Sequence, residues 1–510
     1  MKLQLARLTT IVLVGVAVAS VQSPGRAQIP WLRFMGNNYS NGRSPNGGPP
    51  TTGTVTSAAT VGNSVPSVAA AGGTTNGQVV VSGGTVGGYS YDLGTKLWDT
   101  SGTLFSSTYG TPTPYPPTIS NENGVDVAYV TCGDTNSGGT NSLVALKLNP
   151  TKMPGKNYQE LWSVKHTNTP ANVPTISGAP VVGPDGPYNT VYCIDAHNIS
   201  GSAVVWAFKN NGSNVGITKW SYSTPYPALL EQPILYVSGT TTYLVLVGRA
   251  QVAAGSGSTQ LTIRVLVLRD DGNAAAPVGT FDFPAGDGQH GQQPEYLPNG
   301  APSLSPDGTK LLIPWHWTNL IDTDYYGTAC LSISVPTATA SILWPAIPTN
   351  VNTPPSVYDV RNPASPTPYS IAIDAVAAPN QGVYYVMADG RTLVKRRISD
   401  GSLPWTPATR TLIGTGGQLP ALDANDAAVW VASTSNNVGY VQRFPIDGSA
   451  ATTWNVTDPV NSTYTHPGGI TYIIGAGVAI GTNGATNGTQ NNLYVTTTST
   501  TGTKMLRKIR

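Results

Sequence analysis

Six tryptophans, Trp98, Trp162, Trp220, Trp344, Trp405 and Trp454, each close a segment of the same form. The form is a strand start, often with proline, an alternating apolar strand, a turn, a second strand, and a polar turn that ends in Trp. "GQVVVSGGTVGGYSYDLGTKLW" (77–98) and "QGVYYVMADGRTLVKRRISDGSLPW" (381–405) show it most plainly. Successive tryptophans lie roughly 60 residues apart, a repeat length longer than the common propeller repeats. The interval from Trp220 to Trp344 is double, and its middle unit puts Phe283 where the Trp is expected. A further unit follows Trp454, with "GAGVAIGTNG" and "NNLYVTTTSTTGTKMLRKI" as strands.

Each unit holds three or four strands of alternating character, and no helical period persists. One such sheet cannot bury both its faces, so the units must stack around an axis. The repeat therefore predicts an all-β chain folded as a single β-propeller over 51–510, with eight blades of about 60 residues and seven as the alternative. Charged residues make up only 10% of the chain and the net charge is +2. No basic field exists to hold a phosphate backbone, which excludes nucleic acid as a partner. Cys132 and Cys193 lie one period apart. Equivalent positions in neighbouring units do not come within disulfide reach, so these two and Cys330 are expected to be free, buried and apolar in behaviour.

The first residues have a different character. Lys2 and Arg7 precede an apolar run from Ile11 to Val21, and Gly25-Arg26-Ala27 supplies small residues for a cleavage site. This order predicts a secretory signal over 1–27 with cleavage after Ala27, and hence a secreted or periplasmic protein. No later stretch is apolar enough to predict a transmembrane span. Residues 28–50, which include "PWLRFMGNNYSNGRSP" (30–45), are expected to close the ring. The last unit lacks a final Trp, and Trp31 and Phe34 are expected to pack against it, because an open seam would expose strand edges.

The segments "DLGTKLW", "SDGSLPW" and "IDGSAATTW" resemble the tryptophan-docking repeat of pyrroloquinoline-quinone-type (PQQ-like) propellers. The 31–45 segment is similar to the start of exported members of that superfamily, including the outer-membrane assembly propeller lipoproteins. The resemblance implies that the Trp of one blade packs on the next. For the quinoprotein-dehydrogenase-like members it also implies PQQ and calcium. Those enzymes carry two adjacent cysteines beside the quinone, and many carry a Cys-x-x-Cys-His haem segment. Neither pattern is present in this chain. A hard cation also needs several converging oxygen ligands, and no such set can be matched, so no catalytic, cofactor or metal residue is predicted.

The stretch least explained by blade building is 286–330. In "LLIPWHW" strand alternation puts Trp315 and Trp317 on one face and His316 on the other, and an acidic, aromatic loop follows. Trp315, His316, Trp317, Asp322, Asp324 and Tyr325 form the candidate ligand surface. Aromatic faces beside carboxylates suit sugar rings or peptide side chains. "SPDGTK" (305–310) reads as a hairpin turn rather than a cation loop. The expected function is an exported, non-catalytic scaffold that binds an envelope or extracellular protein or polysaccharide. The alternatives are a PQQ- and calcium-dependent oxidoreductase of alcohols or aldose sugars, and a polysaccharide- or peptide-processing enzyme.

Overall fold

The computed structural model describes residues 54–510 except 73–74, 134–140, 151–156, 167–175, 196–202, 225–227, 230–232, 254–258, 285–294, 319–322, 346–357, 365, 377–379, 418, 424–426, 461–463, 466–470, 473–476 and 483–490. The signal segment, the 28–50 segment with Trp31 and Phe34, and Asp322 lie outside the described residues.

The repeat folds as an eight-bladed β-propeller, the first of the two blade counts expected. Each blade is a four-stranded antiparallel meander, with short accessory strands in some. In blade 1 the strands run Ser67–Gly72, Thr75–Val81, Gly87–Ser90 and Lys96–Asp99. The second and third strands are Val125–Gly133 and Asn141–Lys147 in blade 2, Tyr188–Asp195 and Val204–Asn210 in blade 3, and Thr241–Ala253 and Thr259–Asp270 in blade 4. They are Lys310–Thr318 and Asp324–Ser334 in blade 5, Gly382–Val386 and Thr392–Arg397 in blade 6, Ala428–Ser435 and Val438–Pro445 in blade 7, and Asn491–Thr498 and Lys504–Ile509 in blade 8. Val, Ile, Leu and Tyr fill successive positions of the central strands, so both sheet faces bury apolar side chains against neighbouring blades. Asn123-Gly124 and Asn436-Asn437, each with both residues at positive φ, make tight hairpin turns that match the right-handed strand twist. Among the described residues the helical structure is one short α-helix, Thr103–Tyr109, and one 3-10 turn, Val335–Thr337.

The tryptophans dock blade to blade. Trp344 of blade 5 donates its indole N–H to the Ile398 carbonyl of blade 6 at 2.7 Å. Trp405 of blade 6 does the same to Ile446 of blade 7 at 2.9 Å. Gly401 lies under Trp344 with φ +71, and a Cβ there would come within 2.8 Å of the ring. Glycine is therefore required twice over, by the backbone and by the close approach. Trp220 reaches Asp270 of blade 4 at 3.1 Å. Two tryptophans act through a relay. Trp98 donates to Gln78 at 2.7 Å, whose amide donates to the Leu148 carbonyl of blade 2. Trp162 donates to Glu122 at 3.0 Å, which also accepts from Asn210 of blade 3 at 2.8 Å. Trp454 is buried and stacks on Trp430 with centroids 5.4 Å apart.

Blade 4 departs from the sequence expectation. Five fourth strands carry a register shift one residue before the docking position, at Leu97, Leu161, Lys219, Val278 and Leu343. In blade 4 the residue after the shift is Gly279, so the docking position is Gly279 and not Phe283. A Cβ on Gly279 would come within 2.9 Å of Ala338 in the next blade, and the space a Trp fills elsewhere is taken by that contact. Phe283 is buried four residues further on, against Tyr296.

The ring is closed by the strand Val55–Ala59, which pairs with Lys504–Ile509 and supplies the fourth strand of blade 8. In place of a tryptophan, Tyr494 of blade 8 donates its hydroxyl to the Tyr91 carbonyl of blade 1 at 2.8 Å. Thr496 adds hydrogen bonds to the carbonyls of Asn63 and Ser64. Pairing the first strand with the last covers the open edge of Lys504–Ile509 and ties the two ends of the chain into one sheet. Cys132, Cys193 and Cys330 are free and buried, as expected, and burial pushes each thiol up.

Candidate functional site

The meander puts the connections of every blade at two ends. One end carries the links from first to second and from third to fourth strands, which form the turn face. The other end, the loop face, carries the remaining links, including 100–117 and the segment 358–364. Blade 5 presents the second and third strands of the candidate stretch at this loop face.

Strand alternation places Trp315 and Trp317 together, as read from the sequence. Both are buried, at 0% and 1% exposure, in the core between blades 4 and 5. Their ring faces pack against protein: Tyr296 meets Trp315 edge-on at 5.7 Å and Tyr325 meets Trp317 at 5.2 Å. Neither presents a flat face to a ligand. Tyr325 is also buried, at 6%. His316 and Asp324 lie on the opposite face, toward blade 6, at 21% and 39% side-chain exposure. The His316 Nε2 pairs with Asp324 Oδ1 at 2.9 Å, and the imidazole stacks on Tyr326 at 4.5 Å and 8°. The candidate surface thus divides, with its tryptophans in the core and its His–Asp pair at the rim.

Residues that the sequence reading did not select complete this rim. The link from blade 5 to blade 6 returns along the outer edge of the third strand of blade 5 and pairs there as a short strand, Val360–Arg361. Tyr358, 41% exposed, meets Tyr325 edge-on at 4.8 Å. The Arg361 guanidinium lies 5.6 Å over the Tyr325 ring. Asn362 accepts a hydrogen bond from the Asp324 amide at 2.6 Å.

A buried ion pair anchors this returning strand. Asp359 sits between blades 5 and 6 with its carboxylate 2% exposed, 2.6 Å from Arg396. The Tyr385 hydroxyl donates to Asp359 at 2.9 Å and accepts from Arg396 Nε at 2.7 Å, and Arg396 also donates to the Gly401 carbonyl. Burial pushes the Asp359 carboxyl above its ordinary value, and the Arg396 charge only partly offsets this. No signal in the sequence marks Asp359, since its partner lies in the next repeat. Among the described residues no cluster of His, Cys, Asp or Glu could hold a metal ion.

No protein-family profile matches the chain. No curated protein matches it. Solved structures similar to it include a candidate 6-phosphogluconolactonase from Bacteroides fragilis, 15% identical, covering 72% of this chain and 89% of that one with a TM-score of 0.36. An α-L-arabinanase from Penicillium chrysogenum is 11% identical, covering 67% and 92%, with a TM-score of 0.34. The β-propeller domain of the Trilobed protease from Pyrococcus furiosus is 10% identical, covering 74% and 95%, also at 0.34. These scores are low, and the fold assignment rests on the sheet topology itself.

Proposed function

We propose that the protein is an exported, non-catalytic β-propeller of the PQQ-like type whose loop face binds a polysaccharide or protein of the cell envelope or extracellular space. The observation that carries this reading is the strand Val360–Arg361. At the rim of blade 5 it brings Tyr358 and Arg361 onto Tyr325 and Asn362 onto the Asp324 amide, flanking the end of the sheet on whose other face His316 and Asp324 pair. A stacked imidazole, an exposed phenol, a guanidinium and a carboxylate offer flat apolar surface flanked by hydrogen-bonding groups. Sugar rings and peptide side chains match that mixture. A rigid ring that carries its recognition groups on connections is also the usual division of labour in a binding scaffold. The docking of Trp344 and Trp405 on the next blade supports the PQQ-like assignment. The 1–27 segment supports export.

The test is a binding titration against neutral and acidic polysaccharides and against envelope proteins, with wild type and the Tyr358→Ala, Arg361→Ala double variant. The reading expects a ligand whose affinity the double variant weakens by about tenfold or more. Binding that survives the double variant contradicts it. Dye reduction with alcohols or aldose sugars after addition of PQQ and calcium would contradict the non-catalytic part and establish the oxidoreductase alternative.

A further inference from the structure

Three buried donors on one face of blade 5 have no hydrogen-bond partner among the described residues: the Tyr296 hydroxyl and the indole N–H groups of Trp315 and Trp317. They lie close together. Tyr296 is the cross-strand partner of Trp317, and its ring meets Trp315 at 5.7 Å. Trp315 is held over Gly327, where a Cβ would come within 2.6 Å of the ring. All three residues are at most 1% exposed. A buried polar group without a partner costs about 1–3 kcal/mol, so three in one cluster call for an occupant. Burial alone pushes the Tyr296 hydroxyl up, so it remains a protonated donor. Indole N–H groups donate only.

The facing wall supplies a positive charge. Tyr243, Val245 and Val247 of the blade 4 strand Thr241–Ala253 pack in the same core as Trp315 and Trp317. The unbroken ladder of that strand carries Arg249 onto the same face. Arg249 is half-buried and forms no ion pair among the described residues. A water molecule fits such a set poorly, because its own two hydrogens also need acceptors and the surrounding core is apolar. An anion accepts from every donor and has nothing to place.

We propose that the packed interface between blades 4 and 5 is a binding site for a monovalent anion, held by Tyr296, Trp315 and Trp317 with Arg249 at its side. The anion is either a free halide or a carboxylate carried by a ligand. This site adjoins the rim of Tyr358 and Arg361 through Tyr325, whose ring also meets Trp317, but it stands whether or not that rim binds a polymer.

The experiment follows tryptophan emission while chloride, bromide, acetate or galacturonate replaces sulfate at constant ionic strength. The proposal expects a saturable change, with Tyr296→Phe and Arg249→Gln each weakening the response by about tenfold. Saturation by halides alone identifies a free ion, and saturation by the two carboxylates alone identifies a ligand-borne group. Tyr296→Phe removes an unpaired hydroxyl, so its melting temperature without the anion should equal or exceed that of wild type. No saturable response to any of the four, or one that Tyr296→Phe leaves unchanged, overturns the proposal and leaves the donors to internal water. Crystals of the wild type grown with bromide or a brominated carboxylate give a second readout that no core variant can confuse. An anomalous peak within hydrogen-bonding reach of Tyr296 Oη and the two indole nitrogens supports the site, and its absence overturns it.

Discussion

The two ends of the propeller spend their polar side chains differently. On the turn face, carboxylates and amides are consumed by their own turns. Asp92 accepts from the Gly94 amide and the Ser90 hydroxyl, Asp400 from the Ser402 amide and hydroxyl, and Asn211 from the Ser213 amide. Such turns stabilise hairpins and leave little to offer a partner. At the loop face of blade 5, His316 pairs with Asp324 on one face of the sheet, Tyr358 and Arg361 pack on Tyr325 on the other, and these side chains keep exposed surface. Acidic residues alone therefore say nothing about function here. What matters is whether the nearest backbone amide has already claimed them.

The largest expected effect concerns closure, on which both faces depend. Removing residues through 60 takes away the strand Val55–Ala59 and leaves Lys504–Ile509 unpaired on one edge. Thermal melting should show loss of the cooperative transition. A deletion that stops before residue 54 keeps the strand, and comparing the two separates the strand's role from that expected of Trp31 and Phe34. An equal loss of stability in both would show that the earlier segment carries the closure.

Next in size is the anchor of the loop-face rim. Asp359→Ala leaves Arg396 as an uncompensated buried charge, at a cost of about 3–5 kcal/mol in unfolding free energy. A cost below about 1 kcal/mol would mean that the returning strand holds without it. Trp344→Phe removes one indole hydrogen bond to the Ile398 carbonyl and should cost about 1–3 kcal/mol by denaturant unfolding.

The pH dependence separates carboxylates by sign. The Ser402 amide and then its hydroxyl hold Asp400 below the ordinary carboxylate range. Its contribution is present above the unfolded value of about 3.9 and is lost as pH falls through the lower folded value. Asp423, buried in blade 7, is pushed up by burial despite the amides of Ala427 and Ala428. Its contribution is complete below the unfolded value and is lost as pH rises through the raised folded value. Asp400→Asn should thus flatten the acid limb of a stability–pH curve, and Asp423→Asn the part above it. The same limb flattened by both would contradict the assignment. The smallest expected effect on stability is at the rim, where Tyr358→Ala and Arg361→Ala should each stay within about 0.5 kcal/mol of wild type.

Much of the fold could be read from the chain because propeller blades are local. The turn and Trp of "SDGSLPW" and "IDGSAATTW" mark third-to-fourth strand turns, and alternation in "LLIPWHW" assigns the two faces correctly. Features that depend on distant partners were not legible. The closing strand 55–59 pairs with the far end of the chain. The shift at Val278 moves the docking position from Phe283 to Gly279, and one-residue bulges leave no period to read. Tyr358, Arg361 and Asp359 sit in an irregular link, and only the returning strand brings them to blade 5. Alternation likewise separated Trp315 from His316 without telling which face is core, because both faces of a blade meet a neighbour.

The measurement that tests the central claim most directly is a matched pair of binding titrations on the same polymer or protein ligand. One uses Tyr358→Ala with Arg361→Ala on the loop face, and the other uses Asp92→Asn with Asp400→Asn on the turn face. A division of labour between the faces predicts about tenfold weaker binding or more for the first pair and unchanged binding for the second. Equal weakening by both pairs, or loss only in the turn-face pair, would contradict it.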